Sequence, residues 1–331
     1  MSRVLKRTIL AFVIVLVVFA LVAGGFLLWL YNGVQTYGSS EGGKSSIEDG
    51  DNTFLLMVRD TRAGENADVM ESAAESDTAD GGRTDSMILV NIRVGQAIDM
   101  VSLPRDLMVS IPACETADGT TTKPSKAKIN AAYAYGSRGD DADVASPYGI
   151  ECAEKTVAKL TGIDVDGSAV MDAFAVKEIV DGIGGVELCV STDQAAELEQ
   201  VEAGCHVVDG DAALEYSRAR KGVDDGSDLS RIERQHKLLK AVSTKLSENS
   251  DPRQSANLLL LSRKLGQHLT VDSGMRSMGN AAQVLATIRT GKLNMATTPT
   301  VWAPDGVNLV VAPEAKTWWK AMKENQPVPM D

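Results

Sequence analysis

Four arginines in the second half of the chain have the chemistry and spacing of an anion-binding site. Arg218 and Arg220 are two residues apart and share a face if the chain there is extended. Arg231 and Arg234 follow after an acidic, glycine-containing loop. Guanidinium groups suit bidentate contacts with phosphate oxygens, so the stretch indicates a phosphate site. The alternative is that the four arginines lie on a solvated surface, paired with aspartates of the loop.

The second arginine pair lies on a predicted amphipathic helix with Asp228 as its N-cap. The apolar positions that recur at close to helical period are Ile232, Leu239, Val242 and Leu246. At 100° per residue, Gln235 falls inside this apolar stripe and Arg231 on its edge. The helix is therefore predicted to line a pocket that is polar at its first turns and apolar further along. Such a pocket suits an anion with an apolar tail.

Composition limits the classes of protein that need to be considered. The chain has 331 residues, of which 44% are hydrophobic, enough for one large domain or two small ones with packed cores. The net charge of −12 argues against a nucleic-acid partner, because such proteins need a basic face. The three histidines lie far apart in the sequence and give little support to a histidine-based zinc site.

The N-terminal region predicts a membrane anchor. Residues 1–8 contain Arg3, Lys6 and Arg7, and residues 9–31 are free of charge and long enough to span a bilayer as one helix. The positive charge predicts a cytoplasmic N-terminus, with a flexible linker at 32–52 and a domain at 53–331 outside the cell membrane. A cleaved signal peptide is the alternative. The length of the apolar run and the lack of a nearby A-x-A site argue against cleavage.

Four cysteines in the exported part indicate two disulfides. Three pairings are possible. The pairing of Cys189 with Cys205 is preferred because VELCV and CHVV have the composition of neighbouring strands. Cys114 and Cys152 would then tie a loop to a helix.

Apolar runs separated by short polar stretches predict an α/β fold. TFLLMV begins at Thr53, and Arg83-Thr84-Asp85 leads into SMILVNIRV, with IDMVSL and LMVSIP following. The carboxylates and arginines stand at strand ends, where open α/β sheets bind ligands. After Lys128 helical and strand patterns alternate, which favours a layered sheet with helices on both faces. The P-loop pattern GSSEGGKS at 38–45 lacks a preceding strand and a following helix, and residues 64–82 indicate an insertion without core positions.

Six motifs occur in a characteristic order: TFLLMVRDTR, GRTDSMILV, VSLPRD, KINAAYAYG, VDGIGGVEL and YSRAR followed by SDLSRIERQ. From about Thr53 to Leu246 this order resembles the LytR-CpsA-Psr (LCP) family of cell-wall glycopolymer ligases. The resemblance implies a three-layer α/β/α sandwich around a mixed central sheet, with its core at 53–246. It also implies a membrane-anchored extracytoplasmic enzyme that transfers a glycopolymer from a polyprenyl-pyrophosphate carrier to a peptidoglycan hydroxyl, assisted by Mg²⁺.

The resemblance also implies roles for individual residues. Asp60 and Asp85 would be the metal ligands, and Arg62, Arg83 and Arg105 would lie near the pyrophosphate. The second phosphate-binding cluster would be formed by Arg218, Arg220, Arg231, Arg234 and Gln235. The catalytic group would be Asp85, Arg105, Arg218 and Arg220. One departure from the family is local, since the family usually has Gly-Ser before the first aspartate and this chain has Val58-Arg59.

Physical chemistry supports this assignment, and other functions stay open. Arginines and Mg²⁺ would neutralise the pyrophosphate before a sugar hydroxyl attacks, and a carboxylate such as Asp85 could take the proton of that hydroxyl. Asp85 could instead be a strand-end cap or an ion-pair partner of Arg83. A pyrophosphatase at the same site and a non-catalytic module that binds lipid-linked glycans are the alternative functions. A transcriptional attenuator is excluded by the predicted anchor and the acidic exported domain.

Overall fold

The computed structural model describes residues 35–37, 53–60, 82–93, 96–141, 144–219, 223–224, 227–248, 268–272, 287, 292–306 and 308–329. The predicted anchor at 9–31, the P-loop-like stretch and residues 61–81 lie outside this part of the chain. Within the described ranges no helix has both the length and the apolar character needed to cross a membrane.

A mixed sheet forms the centre of the described structure. Its seven strands follow the order β1-β10-β7-β2-β3-β4-β11. Their bounds are β1 Gln35–Tyr37, β2 Thr53–Asp60, β3 Arg83–Arg93, β4 Ala97–Leu103, β7 Gly167–Asp172, β10 Leu269–Asp272 and β11 Leu293–Thr297. Strands β2, β3 and β4 pair antiparallel, whereas β2 with β7 and β4 with β11 pair parallel. The predicted mixed α/β sheet is confirmed.

Three two-stranded ribbons and a set of helices surround the sheet. The ribbons pair β5 Met108–Ile111 with β6 Ser125–Lys128, β8 Val186–Val190 with β9 Gly204–Val208, and β12 Thr300–Trp302 with β13 Leu309–Val311. The helices in the described residues are α1 Ala131–Gly136, α2 Pro147–Thr161, α3 Ala173–Gly182, α4 Thr192–Ala195, α5 Gly210–Arg218, α6 Asp228–Glu248 and α7 Ala315–Lys323. Asp209 caps α5 by accepting from the backbone N–H of Ala212.

Alternate side chains of the central strands enter two different cores, as the period of a strand requires. Leu55 and Met57 pack with residues of α2 and α7 on one face of the sheet. Leu56 and Ile88 pack with Leu239 of α6 on the other face. Helices therefore cover both faces, and Trp319 of α7 fills the first of these cores with 5% of its surface exposed.

Both predicted disulfides are present. Cys189 and Cys205 stand directly opposite each other in the β8–β9 ribbon. Cys114, in the loop after β5, is joined to Cys152 on α2, and both side chains are buried. The first bridge closes a hairpin, and the second holds a long surface loop to a helix.

Strand β1 differs from the sequence-based expectation. Gln35–Tyr37 fall inside the predicted flexible linker at 32–52, yet they pair in parallel with β10, with Gln35 opposite Thr270. The linker prediction is wrong for these three residues, because backbone pairing to a sheet edge needs no apolar pattern that a sequence would show.

Candidate functional site

A β-bulge at the end of β2 and β3 shapes the site. Val58 pairs with Ser86 and Arg59 pairs with Thr84, so Asp85 is the extra residue between the two pairs. In a regular strand Asp85 and Ser86 would point to opposite faces, but both line the same pocket. A bulge re-aims a side chain in this way. The bulge therefore turns the Asp85 side chain toward the pocket.

The pocket lies between the sheet and helices α3, α5 and α6. Its apolar lining residues are Leu56, Val58, Ile88, Met171, Ala173, Val176, Leu214, Leu238 and Leu239. Its polar lining residues are Arg59, Asp85, Ser86, Ser217, Arg218, Arg231 and Gln235. Along α6, Arg231 and Gln235 precede Leu238 and Leu239, so the helix passes from polar to apolar over roughly 10 Å, at its rise of 1.5 Å per residue. This is the polar-to-apolar pocket predicted from the sequence.

Asp85 joins two arginines. Arg105 donates from Nη1 to Asp85 Oδ1 at 2.9 Å. Arg231 approaches the same oxygen with its Nη1 at 3.4 Å and donates from Nη2 to the Asp85 carbonyl oxygen at 2.9 Å. Arg231 is 2% exposed, so its position is fixed by packing as well as by these bonds. The geometry brings together Asp85, Arg105 and Arg231, as the resemblance implied.

Asp228 holds the same two arginines from the other side. It accepts from the backbone N–H of Arg105 at 3.0 Å, lies 3.2 Å from Arg105 Nε, and accepts from the Arg231 guanidinium. Burial raises the pKa of Asp228, against the opposing effect of the charges of Arg231 and Arg105. The sequence predicted Asp228 as a helix cap and, in the alternative interpretation, as an ion-pair partner of the arginines, and the structure shows its ion pair with Arg231. Its spacing of three residues from Arg231 on one helix was the available signal.

Arg234 is placed differently from the expectation. Its side chain is 1% exposed and does not line the pocket. Arg234 donates from Nε to the Tyr216 carbonyl oxygen at 3.2 Å, and its guanidinium also bonds the Ala219 carbonyl oxygen and the Asp224 carboxylate. These contacts tie the chain after α5 to α6. The structure thus gives Arg234 a supporting position, outside the polar lining of the pocket.

The prediction that the apolar stripe of α6 lines the pocket is correct only in part. Leu239 lines the pocket as predicted, but Ile232 does not, and Val242 packs against the cluster around Val186 and Leu188. Val242 shares the pocket-facing side of the helix but lies about 6 Å beyond Leu238 along the axis, at 1.5 Å per residue. Leu238, one turn before Val242, lines the pocket instead.

The other predicted site residues fall into three groups. Arg218, the last residue of α5, and Gln235 line the pocket. Arg83 is exposed at the start of β3, opposite Asp60 in the pairing, and does not line the pocket. Arg62, Arg220 and the side chain of Asp60 lie outside the described residues.

One carboxylate of the pocket lining, that of Asp85, meets part of the chemical requirement for Mg²⁺. Asp85 supplies a carboxylate at the bulge. Asp60 is the last residue of the neighbouring strand β2, and it pairs with Arg83, two residues before Asp85 in β3. Magnesium takes one or two protein carboxylates and completes its octahedron with water and phosphate oxygens. In the described residues no cluster of three or more histidine, cysteine or acidic side chains is suited to a metal. Asp85 could therefore supply one of these carboxylates to a metal shared with a phosphate ligand.

Comparisons with known proteins agree with this geometry. The chain is 28% identical over 270 residues to "Biofilm regulatory protein A" of Streptococcus mutans, covering 78% of this chain and 60% of that protein. It is 29% identical to "Polyisoprenyl-teichoic acid--peptidoglycan teichoic acid transferase TagT" of Bacillus subtilis, covering 51% of this chain and 48% of that protein. The solved structure "TagT bound to LIIa-WTA" has the same fold, with a TM-score of 0.57 at 22% identity over 86% of this chain and 95% of that one.

The LytR_cpsA_psr family model matches residues 32–324. The match includes β1, the bulge at Asp85, helix α6 and the closing helix α7. The chain belongs to the LytR_cpsA_psr family.

Proposed function

We propose that this protein transfers a glycopolymer from a polyprenyl-pyrophosphate carrier to a hydroxyl group of peptidoglycan. The observation that carries the proposal is the pocket itself, where Arg218 and Arg231 lie at one end of a cleft whose remaining walls are largely apolar. A prenyl chain gains about 0.8 kcal/mol for each methylene that it buries, and arginines recognise phosphate oxygens. The transferase name of the Bacillus relative and the teichoic acid bound in the solved structure support the same substrate class.

The proposed reaction is a displacement at phosphorus. The acceptor hydroxyl oxygen bonds to the phosphorus that carries the glycopolymer, and the bond from that phosphorus to the bridging oxygen breaks. Prenyl phosphate leaves with the bonding electrons, and its phosphate takes the proton lost by the hydroxyl. Arg218 and Arg231 stabilise the negative charge on the phosphate oxygens, and Asp85 and Asp228 hold Arg105 and Arg231 in position.

Magnesium is part of the proposal. Asp85, with Asp60 at the end of the adjacent strand, would hold the ion, which would supply positive charge to the pyrophosphate oxygens when bound. Asp85→Asn keeps the shape of the side chain and removes its charge. It should weaken magnesium dependence and transfer while prenyl-lipid binding is kept. Full transfer by this variant with no sensitivity to magnesium concentration would remove the metal assignment.

We also propose that residues 9–31 anchor the protein and that the catalytic domain lies outside the cell membrane. The two disulfides of the structure support this, because such bonds persist in oxidising compartments. Non-reducing peptide mapping of protein isolated from cells tests the compartment. Four free thiols in that material would contradict an extracytoplasmic location.

Product analysis tests the proposed reaction. Purified lipid-linked glycopolymer and peptidoglycan are incubated with the full chain, and both polymer and lipid products are followed. Polymer joined to peptidoglycan together with released prenyl phosphate is the expected result. Release of prenyl phosphate without joined polymer would make the protein a pyrophosphatase, and the absence of both products would make it a binding module.

A further inference from the structure

Ser86 is a buried residue of the pocket to which neither the arginine cluster nor the expected metal site gives a role. It is 6% exposed, it lines the pocket, and it directly follows the bulged residue Asp85. Its partner across the ladder is Val58, which also lines the pocket. Because directly paired residues of neighbouring strands point to the same face, the Ser86 side chain lies on the pocket side of the sheet.

The row of side chains that Ser86 begins is otherwise apolar. It continues with Ile88, which pairs with Leu56, and both of these line the pocket, whereas Met87 packs in the core on the opposite face. A buried hydroxyl among apolar side chains costs free energy unless it is hydrogen-bonded. Within the described residues, no protein group hydrogen-bonds the Ser86 hydroxyl. A ligand oxygen in the pocket would satisfy this donor.

Ser86 lies where the pocket changes from charged to apolar. Helix α6 follows β3 through this change, since Arg231 bonds Asp85 at one end and Leu239 packs in the same cluster as Ile88 at the other. Ser86 is next to Asp85 and about 7 Å before Ile88, at about 3.4 Å per residue of strand. A prenyl chain along the apolar wall would therefore have its first phosphate, the one bonded to the chain, beside Ser86, and a second phosphate would lie toward Arg231.

We propose that Ser86 is a specificity-determining residue of this pocket, whose hydroxyl donates a hydrogen bond to the first phosphate of the prenyl ligand. The inference rests on the proposed function, since it takes the ligand to be a prenyl phosphate or pyrophosphate. A serine hydroxyl is a donor that adds no charge beside the apolar wall. A hydrogen bond to an ionised acceptor is stronger than one between neutral groups, so Ser86 favours a prenyl phosphate over an uncharged prenyl alcohol.

The test compares prenyl ligands that carry no, one or two phosphates. Binding of farnesol, farnesyl phosphate and farnesyl pyrophosphate is measured by calorimetry on the detergent-extracted full chain, for the parent, Ser86→Ala and Ser86→Thr. We expect Ser86→Ala to weaken both phosphorylated ligands by the same factor of about tenfold, the effect of one charge-assisted hydrogen bond, with a much smaller change for farnesol. Ser86→Thr keeps the hydroxyl and should keep the preference for farnesyl phosphate over farnesol.

Ser168→Ala is the matched control. Ser168 is another buried serine of the central sheet, its hydroxyl donates to Glu154 of α2 at 2.6 Å, and it does not line the pocket. Its loss should lower the melting temperature and leave the three affinities unchanged, whereas Ser86→Ala should keep the melting temperature of the parent.

Three results would overturn the inference. Equal weakening of all three ligands in Ser86→Ala would mean a general change in the shape of the pocket. Weakening of farnesyl pyrophosphate alone would mean that Ser86 does not contact the first phosphate. Loss of the preference for farnesyl phosphate over farnesol in Ser86→Thr would mean that the hydroxyl does not provide that preference.

Failure of the inference can be distinguished from failure of the proposed function. A parent protein that prefers farnesyl phosphate to farnesol, with the same preference in Ser86→Ala, overturns only the role of Ser86. A parent protein that binds all three ligands equally overturns the phosphate-binding pocket, and with it both proposals.

Discussion

Replacing Asp228 with asparagine should destabilise the fold and disorganise the site together. Asp228 is 6% exposed in its side chain and bonds the backbone and guanidinium of Arg105 as well as Arg231. Removing one partner of a buried ion pair costs about 3–5 kcal/mol. Asparagine keeps an oxygen acceptor, and burial already disfavours the charged form of Asp228, so we expect the lower end, about 3 kcal/mol. Because Arg105 and Arg231 both contact Asp85, polymer transfer should fall as well.

Asp106→Asn is the control for this prediction. Asp106 is adjacent to Arg105 in sequence, but its ion pair with Lys128 at 2.7 Å is exposed, with side-chain exposures of 31% and 50%. Exposed pairs contribute about 0–1 kcal/mol. Urea denaturation of the parent and the two variants, followed by transfer assays, measures the difference. Equal stability and equal transfer in Asp228→Asn and Asp106→Asn would refute the role given to Asp228.

The pH dependence of stability gives a second test of Asp228. Because burial raises its pKa above 3.8 in the folded state, the native protein binds this proton more tightly than the unfolded chain does. The contribution of Asp228 to stability is therefore full below pH 3.8 and is lost as pH rises through the raised pKa. Asparagine does not titrate, so Asp228→Asn should lack this loss, and the stability difference between the parent and the variant should narrow as pH rises through the raised pKa. Identical pH profiles of the two proteins would contradict the raised pKa.

Three further predictions concern separate parts of the molecule. Arg218→Ala should lower transfer tenfold or more, since a charge-assisted hydrogen bond contributes about 1.5–3 kcal/mol. Its melting temperature should be unchanged. Unchanged turnover would instead support the alternative that Arg218 is a solvated surface residue. Hydrogen bonds from Thr116 and Thr120 lower the pKa of Asp118 to about 2, so Thr116→Val should raise it toward 3.8 in a carboxyl NMR titration. The stability that Asp118 contributes above pH 3.8 is lost as pH falls toward about 2, and the variant should lose it at higher pH. Replacing Cys189 and Cys205 together by alanine should cost on the order of 2–4 kcal/mol in chemical denaturation, and a smaller loss would show that the β8–β9 ladder holds the hairpin alone.

Several features of the fold were predictable because one local pattern determines them. The continuous apolar run from Thr53 requires a buried strand, and the helical period of α6 correctly placed Arg231, Gln235 and Leu239 on one side. The pairing of Cys189 with Cys205 followed from two strand patterns, each a few residues long, around cysteines that are 16 residues apart. In each case the information lies within a few consecutive residues.

Other features depend on contacts that no local pattern contains. The bulge at Asp85 results from a register shift between two strands, and the residues around it alternate no differently from those of a regular strand. Arg231 and Arg234 are three residues apart on one helix and both are buried. Only the contacts of Arg234 with the chain after α5 keep it out of the pocket that Arg231 lines. Strand β1 is an edge strand of three residues, too short for periodicity to reveal.

Mass spectrometry of lipid that co-purifies with the membrane-extracted protein tests the central claim most directly. The pocket should retain a polyprenyl phosphate or pyrophosphate from the membrane, held by the apolar wall and the arginines at its end. Val176→Trp adds bulk to the apolar lining of the pocket, replaces none of its charged residues, and should remove that lipid. Parent protein free of prenyl lipid, or equal amounts of it in the parent and Val176→Trp, would contradict the assignment of this pocket to a lipid-linked substrate.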